Sequence, residues 1–270
     1  GVQLKLVGAD VSKFERESLV DNVVLAPAQR YLVDAQFDKP GTYVLTNSIQ
    51  AIDHFNAVFY PQVDTVGVIT VLDEPVAENH TNMFEVLREN GDVIADIDRF
   101  RSEFGRPVDH ELELVVRAVD MPSSMLAVMA LDTLYYPPIE WNDAMPMMNY
   151  LSTSRNLTWV LRDPQTGLEN RDTRWHFTVG DVAKIRITNQ GRGFHPMQHP
   201  IHIHGQRFLV ISKDGVPSNN LAWKDTVVIP VGSTFDILLE ASNPGRWMAH
   251  CHIAEHLEAG MSMVFTVEDP

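Results

Sequence analysis

Short runs of alternating or β-branched apolar residues recur along the whole chain, each cut off by Asp, Gly or Pro, and this rhythm predicts strands rather than helices. Strands are expected at residues 3–7, 22–26, 31–37, 42–46, 66–72 and 113–118. A second series is expected at 159–162, 175–179, 183–188, 208–212, 226–229, 234–240 and 262–267. Helical patterning is confined to residues 81–90 and to a turn or two over 253–257. The stretch 73–107 is polar and irregular, and reads as an inserted loop or an interdomain excursion. Many short strands with regular turn signals predict an all-β chain of two Greek-key β-sandwich domains, residues 1–135 and 136–270. The boundary is placed in the proline- and methionine-rich segment 135–149. The first domain starts directly on a strand, so it is expected to be incomplete at its N-terminus.

Composition narrows the partners. The 270 residues carry 36 acidic against 21 basic side chains, a formal charge of −15, which disfavours nucleic acid and anionic membranes. Neutral or cationic small molecules fit better. The sequence holds no apolar run long enough to span a membrane, and its first residues are not expected to act as a secretory leader, any such signal being expected upstream. Homo-oligomerisation is left open. A single cysteine, Cys251, excludes an internal disulfide framework. The triplets Asn79-His80-Thr81 and Asn156-Leu157-Thr158 read as chance matches to a glycosylation signal.

That cysteine stands in His250-Cys251-His252, followed by His256 and Met261, and upstream lies His199-Pro200-Ile201-His202-Ile203-His204. Side chains alternate faces along a strand. His202 and His204 therefore share one face and His199 takes the other. Likewise His250 and His252 share a face that Cys251 opposes. Two sets emerge: His199, Cys251, His256 and Met261, and separately His202, His204, His250 and His252. A thiolate, two imidazoles and a thioether suit an electron-transfer copper, whereas four imidazoles suit copper that meets oxygen or water. Cys251 joins the two sets covalently, which makes Cys251, His250 and His252 the candidate catalytic relay. His54, His80, His110, His176 and His195 are read as ordinary core or surface residues. The pattern His252-x-x-Glu255-His256 also matches an inverted zinc-peptidase motif. That alternative leaves Cys251, Met261 and the upstream cluster unexplained, and Gly260 follows too closely for a long helix.

The two motifs, H-P-x-H-x-H-G and H-C-H-x-x-x-H-x-x-x-x-M, resemble the C-terminal copper motifs of the multicopper oxidases, with every ligand position filled. Residues 136–270 resemble that family's last cupredoxin domain, and residues 1–135 more loosely its middle domain, around Leu25–Tyr31 and Pro40–Tyr43. The resemblance implies cupredoxin-like sandwiches, with type 1 copper on His199, Cys251 and His256 and an axial Met261. It further implies a type 2 ligand in His202 and type 3 ligands in His204, His250 and His252. Oxidation of a small reducing substrate such as a phenol, an amine or a metal ion would be coupled to reduction of dioxygen to water. Family members complete the trinuclear centre with two further H-x-H motifs, and no such motif precedes His202 here. The expectation is a complete type 1 site and an incomplete type 2/type 3 site, closed by a missing N-terminal cupredoxin domain or by a partner chain. Periplasmic or secreted residence is likewise implied. The rival reading is a non-enzymatic blue-copper electron-transfer or copper-binding module. Lesser candidates are Met145, Met147 and Met148 as thioether ligands or packing, Asp225 orienting a histidine, and Glu255 and Glu258 beside His256.

Overall fold

The computed structural model describes residues 2–53, 58–130, 141–143, 155–191 and 197–270. In the N-terminal part, β1 (Leu4–Ala9), β2 (Ser12–Val20) and β3 (Tyr31–Ala35) form an antiparallel sheet in the order β2-β1-β3. The sequence pattern hides β2 because its inward positions carry charge. Glu15 and Glu17 are buried and survive there as ion pairs, Glu15 with Arg101 and Glu17 with Arg88 and Lys5. Burying a carboxylate is tolerable only with such partners. Residues 22–26, expected as a strand, instead lead into a turn. Pro27 cannot donate to a ladder, and Gln29 closes the turn by donating its backbone N–H to Ala26 O (3.0 Å) while its side-chain oxygen accepts from Ala26 N (3.0 Å).

The long antiparallel hairpin of β4 (Gly41–Asp53) and β5 (Val58–Val71) follows, extended by β7 (Trp141–Asp143) into a second three-stranded sheet. The segment 73–107 is more ordered than its polarity suggests. It supplies α1 (Thr81–Glu85), shorter than the helix expected there, then α2 (Gly91–Asp98) and a 3₁₀ turn at Arg101–Gly105. Two of its apolar residues anchor it, Ile97 and Phe100, which pack against Leu209, Ile211, Leu221, Trp223 and Leu238, whereas Val76, Met83, Val86 and Leu87 stay exposed. Asp96 locks this contact by accepting from Trp223 Nε1 (2.8 Å) and from Arg207 (2.8 Å), whose guanidinium lies over the Trp223 ring.

The remaining elements are β6 (His110–Ala118), α3 (Ser123–Ala130), β8 (Leu157–Arg162), β9 (His176–Thr178), β10 (Val182–Asn189), β11 (His199–Ile203), β12 (Arg207–Lys213), β13 (Val216–Pro217), β14 (Thr226–Ile229), β15 (Thr234–Glu240), β16 (Gly245–Cys251), α4 (Ala254–Glu258) and β17 (Ser262–Glu268). Two sheets face each other across one core. One has the order β13-β12-β15-β10-β6-β8 and the other β14-β11-β16-β17-β9. β10 alternates strictly, with Ala183, Ile185 and Ile187 turned inward. In β15, Phe235, Ile237 and Leu239 line the core, while on the other face Leu238 meets α2's side between Asp236 and Glu240, which pair with Arg186 and Arg207. β6 precedes the expected domain boundary, yet it lies between β10 and β8 in the six-stranded sheet. The boundary itself, at 135/136, falls outside the described residues.

Candidate metal centre

Both histidine motifs meet on one antiparallel ladder. β11 pairs with β16 so that Ile201 faces Cys251 and His202 faces His250. Residues opposite each other point to the same side of a sheet, so the ladder parts the ligand-type residues as strand alternation requires. Ile201, Cys251 and Met261 belong to the sandwich core and His199 is buried with them. His202 and His250 emerge on the outer face of the five-stranded sheet.

On the inner side, His199 Nδ1 lies 3.1 Å from His256 Nδ1, and Cys251 Sγ lies 3.6 and 3.5 Å from those two atoms. All three residues are buried. His256 arrives on α4, the short helix expected at 253–257. Two backbone hydrogen bonds bracket it, Met261 N to His256 O (2.9 Å) and Cys251 N to Met261 O (3.1 Å). Gly260 makes the return possible at φ +111°, where an L side chain would be strained. Trp159, in β8, stacks on the His256 ring with centroids 3.7 Å apart and meets His199 edge-on at 5.1 Å. Sequence spacing marked Trp159 only as a strand residue, since a stacking partner leaves no periodic signature. Its backbone is tied in by Ala259 O and by the Asn170 side chain.

Burial pushes the Cys251 thiol up to about 12. A thiolate in this core needs a cation beside it. The three donor atoms form a triangle whose centre is about 2 Å from each, the bond length of a metal held by nitrogen and sulfur. Thiolate plus two imidazoles selects copper over harder ions. Met261 is fully buried in the same core. The residues present therefore fit a trigonal copper site.

On the outer side, His204 Nε2 and His250 Nε2 face each other at 3.0 Å. The His202 ring lies 4.7, 5.6 and 5.7 Å from those of His204, His250 and His252, centroid to centroid. His250 Nδ1 hydrogen-bonds the Cys251 carbonyl (2.8 Å), a direct bridge from the thiol's own residue to the outer cluster. Desolvation lowers the pKa of both His202 and His250, and the neighbouring imidazoles push the same way. Their neutral form, the one that binds a metal, is favoured. His202 Nδ1 sits 3.0 Å from Asp225 O and 2.9 Å from Thr226 Oγ1. Burial opposes the charge on Asp225, but hydrogen bonds from Arg30 and Thr226 outweigh it and hold its carboxyl below the ordinary range.

The zinc-peptidase alternative pairs residues that the fold separates: His252 stands with the outer rings and His256 stacks on Trp159 in the core. His110 stacks on Trp175, His80 lies near Glu78 and His176 near Glu268, all away from both sets. His54, His195, Met145, Met147 and Met148 lie outside the described residues. Glu255 is half-buried and Glu258 exposed. Glu258 and Leu257 line a cleft of about 730 Å³ beside α4, with Glu169, Arg171 and Asp172 on its other side. Among the described residues no helix is long and apolar enough to cross a membrane.

The multicopper oxidase family profile matches residues 141–270. An oxidoreductase of Pestalotiopsis microspora is 45% identical over 121 residues, covering 41% of this chain and 19% of that protein. The iron transport multicopper oxidase of Schizosaccharomyces pombe is 37% identical over 106 residues, 35% of this chain and 16% of that protein. The solved multicopper oxidase of Campylobacter jejuni, described as a metallo-oxidase, superposes on 99% of this chain with a TM-score of 0.62 at 18% identity. That alignment covers 49% of its own length. The chain thus spans about half of that solved structure, and the aligned stretches span less than a fifth of these two sequence relatives.

Proposed function

From the premise that this chain belongs to the multicopper oxidase family through residues 141–270, we propose that it carries the electron-accepting half of a laccase-like oxidase. One observation carries the reading: a single strand ladder presents a thiolate set to the core and an imidazole set to the outside, joined at Cys251. His199, Cys251, His256 and Met261 would hold a type 1 copper. His202 would serve a type 2 copper, and His204, His250 and His252 type 3 coppers. Copper held there would supply one-electron redox chemistry at the core site and oxygen-reducing chemistry at the outer one.

The chain's own residues do the rest. Trp159 closes the core site against water and fixes the His256 ring by stacking. The cleft beside α4 would admit a small reductant, a phenol, an aromatic amine or a metal ion, and Glu258 and Asp172 would favour cationic donors, Glu169 being paired with Arg117. Cys251 links the two sets through the backbone and through its carbonyl's hydrogen bond to His250. That bond directs the His250 Nδ1 proton away from the cluster and leaves Nε2 for a metal. Further ligands for the outer site would come from another cupredoxin domain or a partner chain, in a periplasmic or secreted setting.

Residues 1–270 alone are then a blue-copper electron-transfer module with half of an oxygen site. The test is oxygen consumption by the copper-loaded 270-residue chain in the presence of a phenolic reductant. Reduction of the blue colour without sustained oxygen uptake is expected. Steady four-electron turnover would contradict the assignment of half a cluster.

A further inference from the structure

A chain of hydrogen bonds runs from His202 into the N-terminal sheet. Arg30, just before β3, donates through both guanidinium arms to Asp225, at 2.7 and 2.6 Å. Thr226 Oγ1 donates to the same carboxylate at 2.8 Å. With its proton committed there, the Thr226 oxygen has only lone pairs to offer His202 Nδ1, 2.9 Å away, and the Asp225 carbonyl is likewise an acceptor. His202 must therefore carry its proton on Nδ1, which leaves Nε2 as the nitrogen able to bind a metal. Arg30 is itself held in place: its backbone N–H donates to the Asp10 carboxylate (2.9 Å), and the side chain also donates to Ala28 O (2.8 Å). The Asp10 side chain, fully buried, is gripped from the sandwich side by Lys224 Nζ at 3.0 Å.

We propose that Arg30 is a positioning residue for the outer imidazole cluster, setting the direction of the Asp225–Thr226–His202 chain and so the tautomer of His202. This rests on the reading of that cluster as a metal site. Arg is suited to the task because its planar fork engages both carboxylate oxygens at once. Without the fork the Asp225 carboxylate is no longer pinned. The Thr226 hydroxyl can then turn and donate to His202 Nδ1 in competition with the Asp225 carbonyl, so the Nε2–H form gains population and the ligand atom is blocked in that share of molecules. The consequence is communication between units: the N-terminal sheet, which supplies no ligand, controls the readiness of a ligand in the sandwich.

The experiment is ¹⁵N-histidine NMR on the metal-free 270-residue chain, comparing wild type with Arg30→Met, Arg30→Lys and Asp225→Asn. Wild-type His202 is expected as the Nδ1–H tautomer. In Arg30→Met the Nε2–H population rises about fivefold, the scale of one hydrogen bond's net worth, and Arg30→Lys recovers part of it. A folded Arg30→Met protein with the wild-type tautomer ratio overturns the proposal. Should that variant not fold, the near-isosteric Asp225→Asn carries the test, and an unchanged ratio there overturns it equally. Zn(II) added to wild type separates the two layers: ring signals of His204, His250 and His252 that ignore the metal overturn the cluster reading, while the tautomer result stands by itself.

Discussion

The inner and outer faces of the β11–β16 ladder hold the same kind of side chain in opposite settings. On the inner face, His199, Cys251 and His256 are buried among apolar residues, and every donor atom needed for a trigonal metal lies within the chain. On the outer face, His202 and His204 are half-buried, His252 is exposed, and four imidazoles converge without a thiolate. A closed site in a low-dielectric core is preorganised and insulated, which suits rapid electron passage with little rearrangement. An open one leaves room for further ligands. Strand alternation alone places the two within one residue of each other.

The largest effect that distinguishes the faces comes from the inner thiol. Cys251→Ser is expected to abolish the intense blue absorption of the copper-loaded protein completely, as read by optical spectroscopy, while ¹⁵N NMR still shows the outer imidazoles grouped. Next is Gly205, which follows His204 at φ +69°. A Cβ there would stand 2.2 Å from the Trp247 ring. Gly205→Ala combines left-handed strain with a ring clash, and is expected to cost about 2 to 5 kcal/mol in urea denaturation. It would blur the comparison by disturbing the strand connection that both faces share.

Much of this division is legible in sequence, and the limits are physical. Alternation in 199–204 and 250–252 suffices to sort the ligand-type residues because β11 and β16 are in register up to Ile203 and Cys251, and His204 and His252 follow directly on the strand ends. The strand β2 is hidden because Glu15 and Glu17 occupy its inward positions, where pattern recognition expects apolar residues. Residues 73–107 look irregular because only a few apolar side chains, Ile97 and Phe100 chief among them, anchor them to the sheet. Trp159 and Arg30 act across 97 and 195 residues of sequence, through a stacked ring and a salt bridge. Neither contact leaves a local motif. Asp225, weighed as a histidine-orienting residue, does stand beside His202.

Smaller effects sharpen the contrast. Trp159→Leu removes the ring stacked on His256 and is expected to shift the reduction potential and the position of the blue band without abolishing it, as measured by redox titration. The outer histidine signals should not respond. Smallest is His252→Ala, an exposed position, expected to change stability by less than about 0.5 kcal/mol. The blue band should be untouched and outer-face metal binding weakened, as isothermal titration calorimetry with Zn(II) would report.

The separateness of the two faces is tested most directly by copper titration of a variant in which His202, His204, His250 and His252 are all alanine, followed at the thiolate-to-copper absorption band. The band is expected to grow to the wild-type intensity and to saturate at one copper per chain, because the inner triangle needs none of the outer imidazoles. A variant that folds yet develops no band, or a band whose intensity depends on the outer histidines, would contradict the division of the ladder into two sites.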